Sequence, residues 1–387
     1  FQDCPFIHVI AQASLEKITT FSMQGLSNTA WAFAVLHVEN PPLLQAIAAQ
    51  AVHTLKDDFG KDWLKDCERH PHILGLVHAV ACLGDSCNSQ ILDGVLNAAS
   101  NALQERADLM DGRYPSTPTA HLECGTSLTT QEPCIMTDQP HACILWKPPG
   151  WTVSVGNFEE DEEEAEWRAG TSGPPLQEWV STRLGTQYPV TRDVHAENGL
   201  VHRLDRGTSG PLLCAKTYHG FHQLQLQFAA CRVTKKYICL CDGWIDKDLR
   251  LIDKPLLVTG SCGTRRSIVA PHGQKAITNV YEVAHLRCPQ GEDLSLVCVS
   301  LGTGRMHQIR AHLSAAGYPL VGDPLYGGWA RPWCQRLFLH SHTLEVNIGD
   351  GPLTSRCSLP QDLKDALAAL SGQDDMSQAI LKTWLYD

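Results

Sequence analysis

A change of hydrophobic period divides this chain. In "LSNTAWAFAVLHVENPPLLQAIAAQA" (Leu26 to Ala51) the apolar residues recur at helical spacing on both sides of a break at Asn40-Pro41-Pro42. A shift of 47 residues brings this segment onto "ILGLVHAVACLGDSCNSQILDGVLNAA", where Ala34 meets Ala81, Leu36 meets Leu83 and Leu44 meets Ile91. Two helix-turn-helix units are therefore expected to repeat, as in helical solenoids that present an extended surface. An ordinary helical bundle is the alternative, because amphipathic helix pairs are common. Residues 1–111 form this helical region.

Residues 112–140 lose periodicity and carry "GRYPSTPTAHLECGTSLTTQEP", which reads as a linker. Strand-like runs then take over, among them "ACILWKPPGWTVSV", "KKYICLCDG", "AITNVYEVAHL", "LSLVCVSLGT" and "LFLHSHTLEVNI". A short amphipathic helix is expected over "PPLQEWVSTRL", with Leu176, Trp179, Val180 and Leu184 on one face. Residues 141–387 are thus expected to be a mixed domain dominated by strands.

The chain has 387 residues and a net charge of −11, which argues at first against a phosphate-rich partner. The distribution changes that reading. "EEDEEEAE" (Glu159 to Glu166) holds seven of the acids, inside an acidic insertion over 157–171, whereas Val201 to Lys275 holds twelve Lys or Arg against five Asp or Glu. No apolar run approaches the roughly 20 residues a membrane span needs. The sixteen cysteines include no Cys-x-x-Cys pair and read as buried thiols; Cys239 and Cys241 share a strand face without matching ligands, so no metal is assigned. The chain opens on Phe1 and not on methionine, which leaves the compartment open between organelle and cytoplasm.

One stretch inside the basic zone stands out: "GLVHRLDRGTSGPLLCAK", Gly199 to Lys216. Leu200 and Val201 read as the end of a strand, Arg206 to Gly210 as a turn, and Pro211 to Ala215 as the next strand, which places Asp205 on a rigid edge. Read alone, Asp205 accepts hydrogen bonds from turn amides and pairs with Arg203 or Arg206.

The run His202-Arg203-Leu204-Asp205-Arg206-Gly207-Thr208-Ser209-Gly210 resembles the central motif of the RluA-type pseudouridine synthases. "WKPPGWTVSV" is similar to that family's opening strand, "KKYICLCDG" to its Lys-x-Tyr strand, and "TGRMHQIRAHLSAAGYPLVGDPLYG" to its Thr-Gly-Arg-x-His-Gln-Ile-Arg block. "RLFLHSHTLEV" is similar to the closing strand that brings a buried histidine into the sheet, so the resemblance spans about 144–370 in order. The helices around "LSNTAWAFA" also resemble those of organellar RNA-binding proteins.

This resemblance implies an α+β fold with a mainly antiparallel sheet, an RNA partner and no cofactor or metal. It implies Asp205 as the catalytic carboxylate, Arg310 as its counter-charge and Tyr237 as the ring against the target base. His202, Arg203, Arg206, Thr208, Arg305 and His307 are the residues expected to bind substrate, and Lys147 is expected to be structural. Ionised Asp205 can act as nucleophile at the sugar or as a base toward a sugar proton, and the residues alone leave both routes open. In "MHQIRAHLSAAG", Met306, Ile309, Leu313 and Ala316 make a helical stripe that ends at Gly317, with Arg310 beside it.

Pro211 and Met306 depart from the family pattern without removing a group that has a catalytic task. No S4-type RNA-binding module is recognisable before the catalytic region, so the helical repeats are expected to help choose the RNA, with Asn28 and Trp31 near a face that could meet bases. Two other classes remain: an RNA-binding protein with a silent synthase domain, and a helical scaffold that binds protein partners.

Overall fold

The computed structural model describes residues 5–36, 38–57, 69–83, 89–117, 131–154, 173–261 and 264–386. The acidic insertion at 157–171 lies outside them. In chain order the helices are α1 (Pro5–Lys17), α2 (Met23–Val35), α3 (Pro41–Asp57), α4 (Arg69–Cys82) and α5 (Ser89–Arg113). Strands β1 (Cys134–Asp138) and β2 (Ala142–Lys147), helix α6 (Leu176–Leu184), strand β3 (Gly210–Ala215) and helix α7 (Tyr218–Ala229) follow. Next come β4 (Thr234–Asp242), β5 (Leu251–Asp253), β6 (Leu256–Thr259), β7 (Arg266–Val269), β8 (Ile277–Arg287) and β9 (Asp293–Leu301). Helix α8 (Gln308–Ala315), β10 (Leu339–Asn347), β11 (Pro352–Arg356), α9 (Gln361–Ala368), β12 (Ser371–Gly372) and α10 (Asp375–Tyr386) complete the fold.

The chain separates into two compact units, one of residues 1–117 with 215–233 and one of residues 118–214 with 234–387. The described residues of the first unit are mainly helical. Ser22 caps α2 by accepting from the Gly25 N–H at 3.2 Å, and Asn40 Oδ1 accepts from the Leu43 N–H at 3.1 Å to start α3. Pro41 and Pro42 suit that first turn, whose N–H groups have no helical partner. Helix α2 packs against α4 and α3 against α5, so the helices related by the 47-residue shift lie side by side. Leu26, Phe33, Leu44, Ile47, Leu76 and Leu103 form its core.

Helix α7 belongs to this unit although the sequence groups it with the catalytic segment. Its Leu226 and the following Ala230 are buried in the same core. Its N-terminus is held by Asp111 near the end of α5, whose Oδ1 and Oδ2 accept from the backbone N–H groups of Tyr218 and His219 at 2.8 and 3.0 Å. No helix is expected over these residues from the sequence, which leaves them inside the strand-dominated segment.

The second unit is α+β and built on an antiparallel sheet in the order β11-β10-β4-β9-β8-β12, with β5 also paired to β8. A smaller sheet runs β1-β2-β3, and β6 pairs with β7. Alternation along β4 gives the main sheet two buried faces. Tyr237, Cys239 and Cys241 join Val297, Val299, Leu204, Leu212 and Ile309 on one side. Ile238 and Leu240 join Leu294, Phe338, Leu363 and Leu381 on the other, under α9 and α10. The site residues lie on the first of these faces. Strand β1 falls within the segment read as linker, and Leu200 makes only an isolated bridge to Cys214 where a strand end was expected.

Candidate active site

Asp205 begins a tight turn, in which the Thr208 N–H donates to the Asp205 carbonyl at 2.9 Å. Three groups from distant segments hold that turn. The fully buried Lys147 at the end of β2 donates from Nζ to the carbonyls of Pro148, Arg206 and Thr208 at 3.1, 3.3 and 2.8 Å. Arg336 donates to the carbonyl of Gly207 at 3.2 Å. His340 of β10 donates from Nε2 to the Cys357 carbonyl at 3.1 Å, which leaves Nδ1 to accept from the Ser209 hydroxyl at 3.0 Å. At Gly210, with φ +136°, a Cβ would stand 2.2 Å from the Ser341 carbonyl oxygen, so only glycine lets β3 pass this close to β10.

The turn presents Asp205 to Arg310. Arg310 lies on α8, and its Nη1 donates to Asp205 Oδ2 at 3.0 Å. On its other edge Nε and Nη2 donate to Asp323 Oδ2 and Oδ1 at 2.8 and 2.9 Å. The Tyr326 ring lies 5.0 Å from the guanidinium carbon. His307 places Nε2 3.9 Å from Asp205 Oδ1, and its Nδ1 lies 3.2 Å from the Tyr326 hydroxyl.

Burial opposes ionisation of Asp205, but His307, Arg310 and Arg203 together outweigh it and hold the carboxyl down at about 2. Burial also lowers the pKa of His307, so this ring is neutral near pH 7 and the standing counter-charge in contact with Asp205 is Arg310. For Arg310, burial works against the charge, and its bonds and proximity to Asp323 and Asp205 raise its pKa above the ordinary value. The Tyr237 phenol is pushed up by burial and then by the charge of Asp205, so it stays protonated. This unit therefore offers an ionised carboxylate, only 18% exposed, with one oxygen gripped and an aromatic ring nearby on β4.

The model of the RNA pseudouridylate synthase family matches residues 141–315, a span that contains Asp205, Tyr237 and Arg310. An uncharacterized RNA pseudouridine synthase of Zymomonas mobilis is 36% identical over 169 residues, which cover 43% of this chain and 75% of that protein. This chain belongs to the RNA pseudouridine synthase family. The dual-specificity RNA pseudouridine synthase RluA of Escherichia coli is 30% identical over 219 residues, covering 56% of this chain and 88% of that one. RNA pseudouridine synthase 5 of Arabidopsis thaliana is 37% identical over 153 residues, but the match covers only 41% of that protein's length and 35% of this chain. The synthase domain is thus of the RluA type, and its enzymes isomerise uridine in RNA.

Within this synthase fold the expected substrate-binding residues fall into different surroundings. His202 Nε2 accepts from the Leu213 N–H at 2.9 Å, and burial together with Lys235 pushes its pKa down to about 3, so the ring is a neutral acceptor that ties the motif to β3. The Thr208 side chain is buried. Arg206 is exposed and Arg203 half-buried, with Arg203 close enough to act on the charge of Asp205. Arg305 donates from Nε to the Lys275 carbonyl at 3.0 Å.

The helix around Arg310 begins at Gln308 and not at Met306, because His307 takes a left-handed conformation with φ 51°. Gln308 fixes that start: its Oε1 accepts from the Thr303 hydroxyl and the Arg305 N–H at 2.7 and 3.0 Å, and its Nε2 donates to the Ile277 carbonyl at 2.9 Å. Asp323 and Tyr326 were not singled out in the sequence, although both lie in "GDPLYG". Their one local signal is the pair Gly322 and Gly327, whose φ values of 76° and 92° bracket a sharply turned segment.

Proposed function

We propose that this chain converts uridine to pseudouridine in RNA with Asp205 as the group that acts on the sugar of the target nucleotide. The carrying observation is the asymmetric grip on the carboxylate. Oδ2 is bonded to Arg310, while Oδ1 accepts no hydrogen bond among the described residues. Attack of Oδ1 on the sugar carbon, or removal of a sugar proton by it, releases the base from its N1 bond. The base turns and C5 bonds to the same sugar carbon, which breaks the Oδ1–carbon bond on the first route and is followed by return of the sugar proton from Asp205 on the second; the C5 proton leaves and N1 takes one up. The change is an internal isomerisation and balances without an oxidant or reductant.

Tyr237 supplies the flat surface for a base taken out of its stack, and the neighbouring guanidiniums of Arg203 and Arg206 meet the phosphates that flank it. His307, beside Asp205, and Arg305, two residues before it, contact the substrate, whereas His202 and Thr208 act through the shape of the turn.

We further propose that the helical unit is a repeat array that helps choose the RNA. Its sequence over residues 1–117 and 215–233 holds thirteen Asp or Glu against nine Lys or Arg, so its net charge is not basic. Any contact with RNA there rests on bases. Asn28 is exposed and Trp31 is 49% exposed on α2, which suits stacking and hydrogen bonding to unpaired bases.

The activity is tested with an RNA pool tritiated at uridine C5, from which C5–C1′ bond formation releases the label as water; no release by wild-type protein overturns the assignment. The role of the helices is tested by comparing pseudouridine maps of RNA treated with wild type and with Asn28→Ala/Trp31→Ala. Lost discrimination among sites supports RNA selection, and identical maps assign this face to protein partners or to folding.

A further inference from the structure

A guanidinium beside a carboxylate commonly takes both oxygens in a fork of two parallel bonds. Arg310 makes such a fork, but with Asp323 and not with Asp205. The Asp323 side chain has no exposed surface, and its two oxygens are both committed to Arg310. Asp205 receives only the remaining Nη1, on Oδ2. Its Oδ1 faces His307 Nε2 across 3.9 Å.

A buried ion pair of this kind is weak evidence of stabilisation, because the cost of removing two charges from water can exceed their attraction. Its clear consequence is orientation. The backbone around Asp323 is fixed independently of the side chain: its N–H donates to the Leu320 carbonyl at 3.2 Å, and its carbonyl accepts from the Tyr326 and Gly328 N–H groups at 3.1 and 2.9 Å. Tyr326 lies against the guanidinium, and its hydroxyl accepts from the Ser267 N–H at 2.8 Å, which ties it to β7. The fork of Arg310 is thus aimed away from Asp205 by a rigid turn.

We propose that Asp323 is a positioning residue that occupies the forked edge of Arg310 and so keeps Oδ1 of Asp205 open to the sugar of the target nucleotide. The inference rests on Asp205 being the reacting carboxylate. Without the fork to Asp323, Nε and Nη2 would be buried donors lacking acceptors, and Asp205 is the carboxylate left within reach. A guanidinium turned onto both oxygens would hold Asp205 more firmly ionised and cover the oxygen that must react. Besides Arg310 and Asp323, the charged and titratable groups acting around Asp205 are Arg203, His307, Tyr237 and Tyr326.

The test is Asp323→Asn, assayed by single-turnover tritium release from the C5-labelled RNA pool across pH, beside an RNA-binding titration and a thermal melt. The amide keeps the shape but sets donors against the guanidinium. The expected result is a rate at least ten-fold lower with RNA affinity unchanged, and an acid limb of the rate profile moved to lower pH. A role confined to folding would lower the melting temperature while leaving that limb in place, and this result would overturn the proposal.

Arg310→Met with and without Asp323→Asn supplies a second reading, which also serves if Asp323→Asn alone fails to fold. If Asp323 acts through Arg310, the double variant turns over at the rate of Arg310→Met. A further ten-fold loss overturns the proposal. Asp205→Asn, run in parallel, separates the two claims: full activity there removes the underlying reading, whereas an inactive Asp205→Asn beside an unaffected Asp323→Asn removes only this one.

Discussion

Asp111, near the end of α5, caps a helix that begins more than a hundred residues later, accepting from the Tyr218 backbone N–H at 2.8 Å. A carboxylate at a helix N-terminus satisfies N–H groups that have no partner within the helix and meets the positive end of its dipole. Replacement of Asp111 by Ala should therefore cost about 1–2 kcal/mol of stability. Deletion of residues 1–111 should cost far more, since it also strips Leu226 and Ala230 of their buried surroundings. Urea unfolding of Asp111→Ala and of the truncated chain measures both. A truncated chain as stable as residues 112–387 within the intact protein would contradict this account of α7.

Lys147 carries a second prediction. Lys147→Met keeps the length of the side chain but withdraws a donor from the Pro148 carbonyl and from two carbonyls of the Asp205 turn, Arg206, which still accepts from the Gly150 N–H, and Thr208, and an orphaned buried polar group costs about 1–3 kcal/mol. Turnover should fall together with stability because the turn that aims Asp205 loosens. Paired urea and single-turnover measurements check this, and loss of rate without loss of stability would point to a direct chemical role for the ammonium.

The histidines set the response of stability to acid. Burial, with Lys235 adding to it, lowers His202 to about 3; burial also lowers His340 to about 3, although its bond to Cys357 opposes this. Between these values and the ordinary 6.5 the unfolded chain binds protons that the folded chain refuses, so stability falls as pH drops below about 6.5. Asp205, depressed from 3.8 to about 2, adds a loss in the same direction only in that lower window. Urea midpoints at pH 7.5 and pH 5 should differ for the wild type and differ less for His202→Gln, whose amide oxygen can still accept from Leu213. Equal wild-type midpoints would contradict the neutral, buried state of these rings.

Much of this architecture was legible in the residues themselves. The helical period of α2 to α5, the alternating runs of β4, β8, β9 and β10, and the Asp205 motif each carry their own local signal. The family resemblance supplied the pairing of Asp205 with Arg310, since the motif alone pointed to Arg203 or Arg206. What stayed hidden is tertiary. Helix α7 is not anticipated within the strand-dominated segment, and only the fold shows it packed on the core built from α4 and α5. Asp323 looks like an ordinary turn aspartate in "GDPLYG", and only the fold shows that its carboxylate is wholly buried against the far edge of Arg310. His202 is expected to shape the loop and to contact phosphate, and the fold adds that one of its ring nitrogens accepts from the Leu213 N–H.

The most direct measurement is single-turnover pseudouridine formation by Asp205→Asn, made beside an RNA-binding titration on the same RNA pool. The asparagine side chain keeps the shape of the turn and can still accept from Arg310, yet its amide can neither attack the sugar nor take a proton from it. The account predicts RNA affinity within a few-fold of wild type and no detectable conversion. Conversion at or near the wild-type rate would contradict it.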